Sequence, residues 1–174
     1  PGDGSAPSQF PPHCLLAGGM FLAPILVGNA GLTGADRHFF AATSIVVGWR
    51  EELAYRGILQ RVLTPRLGLV RSLLVSNLAF VAYHWGAQPF TTAYVLQLLL
   101  CGLILGLVYH ASNSLLPVVA LHSAYDAIDS YTPLVNPPLP DLVCPAVLAL
   151  TLFALVAADP ARRRHNQGGL TSGS

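Results

Sequence analysis

Lysine is absent from this chain, glutamate occurs only at Glu51 and Glu52, and charged residues make up just 10% of 174 positions. An ordinary soluble domain carries about a quarter charged residues, so a normally solvated surface is excluded. The net charge is +1, with no basic patch interleaved with aromatics, which leaves nothing for nucleic acid to bind. Cysteine is scarce as well. Cys14, Cys101 and Cys144 are unspaced for a metal and lie mostly in apolar runs, where a free thiol acts as a small hydrophobe. The chain has no internal repeat, no HExxH motif and no domain boundary within 14–158.

What the chain does have is apolar sequence: 53% hydrophobic residues and a mean hydropathy of +0.55. Long runs recur at 14–32, 39–60, 69–85, 91–110, 115–128 and 142–158. Several approach the roughly 20 residues a helix needs to cross a bilayer. The composition predicts an all-α, polytopic transmembrane bundle of about six spans. A soluble helical protein would need an interior larger than a chain of this size can enclose. Residues 1–13, rich in Pro, Gly and Ser, read as a lead that need not fold, and 159–174 as a polar, Arg-rich tail. A start at Pro1 without methionine leaves room for further helices upstream.

Arginine gives an orientation. Arg61, Arg66 and Arg71 fall between the second and third runs, and Arg162, Arg163 and Arg164 follow the sixth. The positive-inside rule puts both groups on one side, and in a chain of six spans the four crossings between them return it there. Loops at 86–90 and 134–141 then face the other side.

Depth follows at about 1.5 Å per helical residue. Glu51 lies roughly 15 Å in from Arg61, His84 roughly 20 Å from Arg71, and His122 and Asp126 about 12 and 18 Å from Ser114. Four ionisable groups from three helices therefore share a slab near mid-membrane. Such groups are unfavourable by several kcal/mol unless they face a polar cavity and each other, and they mark function by default. Glu52 and Arg56, at i and i+4, share a face and can pair, leaving Glu51 turned about 100° away and free for chemistry. His122 and Asp126 repeat the i, i+4 spacing with Asp129 on the same stripe. Phe80 and His84 repeat it on the third run, with Asn77 one turn below Phe80.

These residues resemble the CAAX protease and bacteriocin-processing family, also called the Abi family, which includes the type II CAAX prenyl endopeptidase. EELAYR (51–56) is similar to its EExxxR motif, FVAYH (80–84) to its FxxxH motif and HSAYD (122–126) to its Hxxx(N/D) motif. Gly57, Gly102, Gly106, Tyr109, Ser112 and Ser114 fit the surrounding pattern, and the likeness covers roughly 38–130. The resemblance implies a multi-spanning intramembrane endopeptidase. In it Glu51 activates water with help from His84, His122 and Asp126 polarise the scissile carbonyl, and Glu52 and Arg56 hold the helix. Gly102 and Gly106 have GxxxG spacing, which lets helices pack closely beside the site. Prenyl endopeptidases often have asparagine where this chain has Asp126. Either that carboxyl is protonated and donates, or it keeps His122 cationic.

Three functional readings stand at this point. The first is a metal-independent, glutamate-type endopeptidase with no cofactor, acting on a membrane-embedded or membrane-associated peptide or protein within the lipid bilayer. The second is a metal-dependent hydrolase using the same histidines and carboxylates as zinc ligands. The third is a non-catalytic family scaffold for bacteriocin immunity or partner binding. All three are multi-pass membrane proteins; bacterial plasma membrane, plastid and endoplasmic reticulum are alternatives the sequence leaves open.

Overall fold

A helix that begins at Ala35 does not stop where the charged motif interrupts its apolar run. In the computed structural model, which describes residues 12–27, 34–87, 90–131 and 143–158, the chain forms α1 (Pro12–Val27), α2 (Ala35–Glu52), a π-helical segment (Leu53–Gln60) and α3 (Arg61–Tyr83). These are followed by α4 (Thr92–Ser112), α5 (Leu115–Tyr131) and α6 (Val143–Ala158). Among the described residues there is no strand, so the fold is all-α.

The π-helical turns widen the backbone directly after the two glutamates. The N–H of Arg61 reaches back five residues to the carbonyl of Arg56. Hydroxyls bond the carbonyls of this segment: Ser76 on α3 donates to Tyr55 O at 2.7 Å, and Thr64 donates back four residues to Gln60 O at 2.7 Å. Isolated π turns inside α-helices are frequent at functional sites.

The connection expected at 61–71 is shorter than the sequence suggested. Helix continues through Arg66, and the break falls at Gly68 alone, at φ 76° and ψ 168°, a conformation that glycine adopts without a Cβ penalty. Leu and Arg around it are good enough helix formers to carry the helix right up to the turn. A contact between Thr64 Oγ1 and Ser72 Oγ at 2.9 Å clasps the two arms. The arm from Ala35 to the break is about 49 Å long, while the returning arm to Tyr83 is only about 22 Å. α3 therefore ends halfway along its partner, at the level of Glu51.

The other ends are set by local chemistry. Thr91 caps α4 by accepting from Tyr94 N at 3.2 Å. Asn113, left-handed at φ 49°, closes α4 by donating its N–H to Tyr109 O at 2.8 Å. The apolar core joins α1, α4, α5 and α6 through Leu16, Met20, Ile104, Leu105, Val118 and Leu148. Large apolar side chains on α2, among them Phe39, Val46 and Trp49, remain exposed. Among the described residues two segments, Ala35–Tyr83 and Thr92–Ser112, are long and apolar enough to cross a membrane. The loop expected at 134–141, the lead up to residue 11 and the tail from 159 lie outside the described residues.

Candidate active site

Glu51 and Glu52 close α2, and adjacent helical positions point their carboxylates in different directions. Glu52 turns inward and is fully buried. Its Oε1 accepts from Arg56 Nη1 at 3.1 Å, the i, i+4 pair expected from spacing, and lies 2.6 Å from His122 Nδ1 on α5. Glu52, Arg56 and Gln60 form one buried row. A step of four residues is close to a full turn in a π-helix as in an α-helix, so the three side chains share one face.

That row grips α4 by its backbone. Arg56 Nη2 donates to Gly102 O at 2.8 Å, and Gln60 Nε2 to Gly106 O at 3.0 Å. From α3, Asn77 Nδ2 donates to Leu99 O at 2.7 Å. The two glycines make room: a Cβ at Gly102 would run into the Asn77 side chain, and one at Gly106 would stand 2.5 Å from Leu73 and 3.1 Å from Gln60 Oε1. The close approach expected at the GxxxG spacing is thus used to seat polar side chains on carbonyls.

Glu51 faces a different set. Its Oε1 is paired with Arg50 Nη2 at 3.0 Å, while Oε2 is buried with no hydrogen-bond partner among the described residues. Oε2 lies 3.8 Å from His84 Nε2 and 3.9 Å from His122 Nε2. Asp126 Oδ2 stands 3.6 Å from His122 Nε2. His84 occupies the C-terminal cap of α3, and its Nδ1 lies 2.9 Å from Phe80 O. A carbonyl and a paired carboxylate can only accept, so both histidines carry hydrogen on Nδ1 and turn Nε2 toward Glu51.

Phe80 packs the group together. Its ring lies 4.6 Å from that of His84 and 6.1 Å from that of His122, and the Arg56 guanidinium sits 4.9 Å over it. A buried cation over an aromatic face gains from the ring quadrupole. Tyr83 stands edge-on to His84 at 5.6 Å and under Arg50 at 5.5 Å, forming the rim.

The structure therefore brings Glu51, His84, His122 and Asp126 together, with Glu52 and Arg56 behind them. One expectation is corrected. Glu51 is not a free carboxylate, because half of it is held by Arg50, which precedes it in sequence and reaches it from an exposed position, 61% accessible. Glu52 is also more than a partner of Arg56, because it binds His122 directly. Spacing within one helix does not signal either contact: the first is between adjacent residues and the second spans 70 positions. Gln60 continues the 52, 56 spacing without an ionisable group to mark it, and the partner of Asn77 lies on another helix. Among the described residues, no three or more His, Cys, Asp or Glu side chains form a group arranged to hold a metal ion.

The family model for type II CAAX prenyl endopeptidase Rce1-like proteins matches residues 34–128, more than half of the chain. No curated protein and no solved structure matches it. The chain belongs to the Rce1-like family, and its helical bundle is membrane-embedded.

Proposed function

We propose that this Rce1-like chain is an intramembrane endopeptidase that hydrolyses a peptide bond with water activated by Glu51, without a metal. The supporting observation is the buried, unpartnered Oε2 of Glu51 between the Nε2 atoms of His84 and His122, at 3.8 and 3.9 Å. These separations are too long for direct hydrogen bonds. A water between them donates one hydrogen to Oε2 and the other to the lone pair of His84 Nε2, leaving its own lone pair for the substrate.

Glu51 takes the proton as the water oxygen bonds to the carbonyl carbon. The resulting oxyanion accepts from a doubly protonated His122 through Nε2–H and from protonated Asp126. The proton on Glu51 then passes to the departing amine as the C–N bond breaks. Glu52 accepts from His122 Nδ1–H and so fixes the ring from behind, and Arg50 occupies Oε1 so that Oε2 is the oxygen presented to the water. General-base catalysis contributes about 10²- to 10⁴-fold, and a preorganised oxyanion donor a further hundredfold or more.

In this reading the substrate is a peptide or protein segment in or on the membrane, and the chain crosses the bilayer about six times. Residues 12–158 form the membrane domain, flanked by the lead 1–11 and the Arg-rich tail 159–174. The 61–71 segment and the tail lie on one side, the 134–141 loop on the other. Cysteines introduced into these three places, labelled by an impermeant reagent on sealed vesicles, test that order: same-side labelling of the first and third would remove a span.

The mechanism is tested by proteolysis with purified protein, with and without prolonged chelation, against Glu51→Gln. Activity that survives chelation and disappears in Glu51→Gln is expected. A metal whose loss and return track activity would make Glu51, His84 and His122 ligands instead. A second reading draws on the Nδ1 contacts of both histidines, the arrangement in which metal ligands are held, and that outcome would favour it.

A further inference from the structure

Between Glu52 and Asp126 the chain contains no acidic residue, yet Arg56, Arg61, Arg66 and Arg71 all fall there. Arg56 is neutralised by Glu52. The other three are exposed, and all lie at the Gly68 hairpin tip. Arg66 and Arg71 stand within about 5 Å of the break along the helix axes and Arg61 within about 10 Å. Arg66 donates to Val62 O at 2.7 Å, which satisfies a carbonyl but leaves its charge unbalanced. Val62, Leu67 and Val70 are exposed among them.

A cluster of cations with apolar neighbours and no acid between residues 53 and 125 is suited to the anionic surface of a membrane leaflet. The polar layer of one leaflet is roughly 5 to 8 Å deep, comparable to the depth over which these arginines are spread. Arginine can keep its stem on apolar surface while its head sits at the interface. The fork of N–H groups matches a phosphate diester in two-point contact.

We propose that the Gly68 tip is a binding site for anionic phospholipid headgroups, with Arg61, Arg66 and Arg71 as the phosphate ligands. The exposed Val62, Leu67 and Val70 lie against the acyl region. The site lies at the end of the hairpin away from Glu51 and does not depend on the catalytic reading. The clasp between Thr64 and Ser72 keeps the two arms, and so the arginines on them, close together.

The test uses the full chain extracted from bilayers of phosphatidylcholine and phosphatidylglycerol, the second an anionic lipid of the kind that attracts basic segments to the surface. Lipids that stay bound are counted by native mass spectrometry. Wild type is expected to retain phosphatidylglycerol several-fold over phosphatidylcholine. Arg61→Gln, Arg66→Gln and Arg71→Gln combined should lose that preference, and the corresponding lysine triple variant should keep most of it. Equal retention by wild type and the glutamine triple variant overturns the proposal, as does a lysine variant no better than glutamine. If the glutamine triple variant does not fold, the three single variants are compared, and graded losses are expected. Displacement by millimolar glycerol phosphate would reassign the site to soluble phosphate, and displacement by polyglutamate to an acidic protein segment. Either result overturns the lipid assignment.

Discussion

The π-helical junction and the α1–α6 pair are both tightly packed, but by opposite means. Around the junction, Glu52, Arg56, Gln60, Asn77 and His122 are buried and fix one another, or the backbone of α4, by hydrogen bonds of 2.6 to 3.1 Å. Between α1 and α6, Leu16, Met20, Ala23, Cys144 and Leu148 meet as a purely apolar contact, with Thr151 set against Gly19. Thr151 satisfies its own hydroxyl on Val147 O at 2.8 Å and offers nothing across the interface. Polar contacts specify direction and apolar contacts do not. The difference shows where orientation matters: the junction must aim particular atoms, whereas α1 and α6 need only adhere. The family match, which spans 34–128, includes the first region and leaves out the second.

The sharpest separation should come from Glu51. Its Oε2 holds no structural contact, so Glu51→Gln keeps the shape and Arg50 can still meet the remaining amide oxygen. Cleavage is expected to fall by about 10²- to 10⁴-fold with thermal stability almost unchanged. A variant that unfolds would place Glu51 with the structural residues and blur the distinction inside the junction itself.

Glu52 should lose both. Removing its charge leaves Arg56 buried beside an amide, and breaking a buried pair commonly loses about 3 to 5 kcal/mol. It also withdraws the acceptor that holds His122 Nδ1, so kcat should fall among the molecules that remain folded. Stability loss with full specific activity would show that His122 needs no holding from behind.

How much of this was legible in the sequence follows the same division. The helices, the shared depth of Glu51, His84, His122 and Asp126, and the Glu52–Arg56 pair could all be read. Each depends on composition or on spacing within one helix, which the sequence displays directly. The His122–Glu52 contact, the seating of Gln60 and Asn77 on α4 carbonyls and the grip of Arg50 on Glu51 could not. The first three join different helices, and the fourth depends on a rotamer at an exposed position. The break at Gly68 was blurred for another reason: clustered arginines suggested a loop, while their helix propensity carried the helix nearly to the glycine.

Asp126 should have a smaller effect, and one that depends on what replaces it. If a protonated Asp126 donates to the oxyanion, Asp126→Asn preserves the hydrogen bond and cleaves at a rate close to wild type. The alkaline limb caused by ionisation of this carboxyl should then disappear. Asp126→Ala removes the donor and should lose about a hundredfold, or about 3 kcal/mol. If Asp126 instead keeps His122 cationic, the asparagine variant falls near neutrality, because His122 loses its proton at lower pH. One pH profile for wild type and both variants on a single peptide distinguishes these. Alanine as fast as wild type would make Asp126 a packing residue.

The smallest kinetic effect belongs to Gly19, and it tests the other side of the comparison. A methyl group there would press directly on Thr151 across the α1–α6 contact. Overpacking of this kind typically loses about 1 to 3 kcal/mol, so Gly19→Ala should lower thermal stability. Thr151→Ala frees the space that methyl needs, so the double variant should recover most of the loss. Neither change touches Glu51 or the histidines, because among the described residues α1 and α6 pack against the apolar core on α4 and α5. Activity per folded molecule should therefore stay at the wild-type value in all three proteins, measured with the folded fraction counted in the same sample. A drop in kcat without a change in KM would mean that α1 and α6 help to aim the site, and that apolar packing carries orientation here after all.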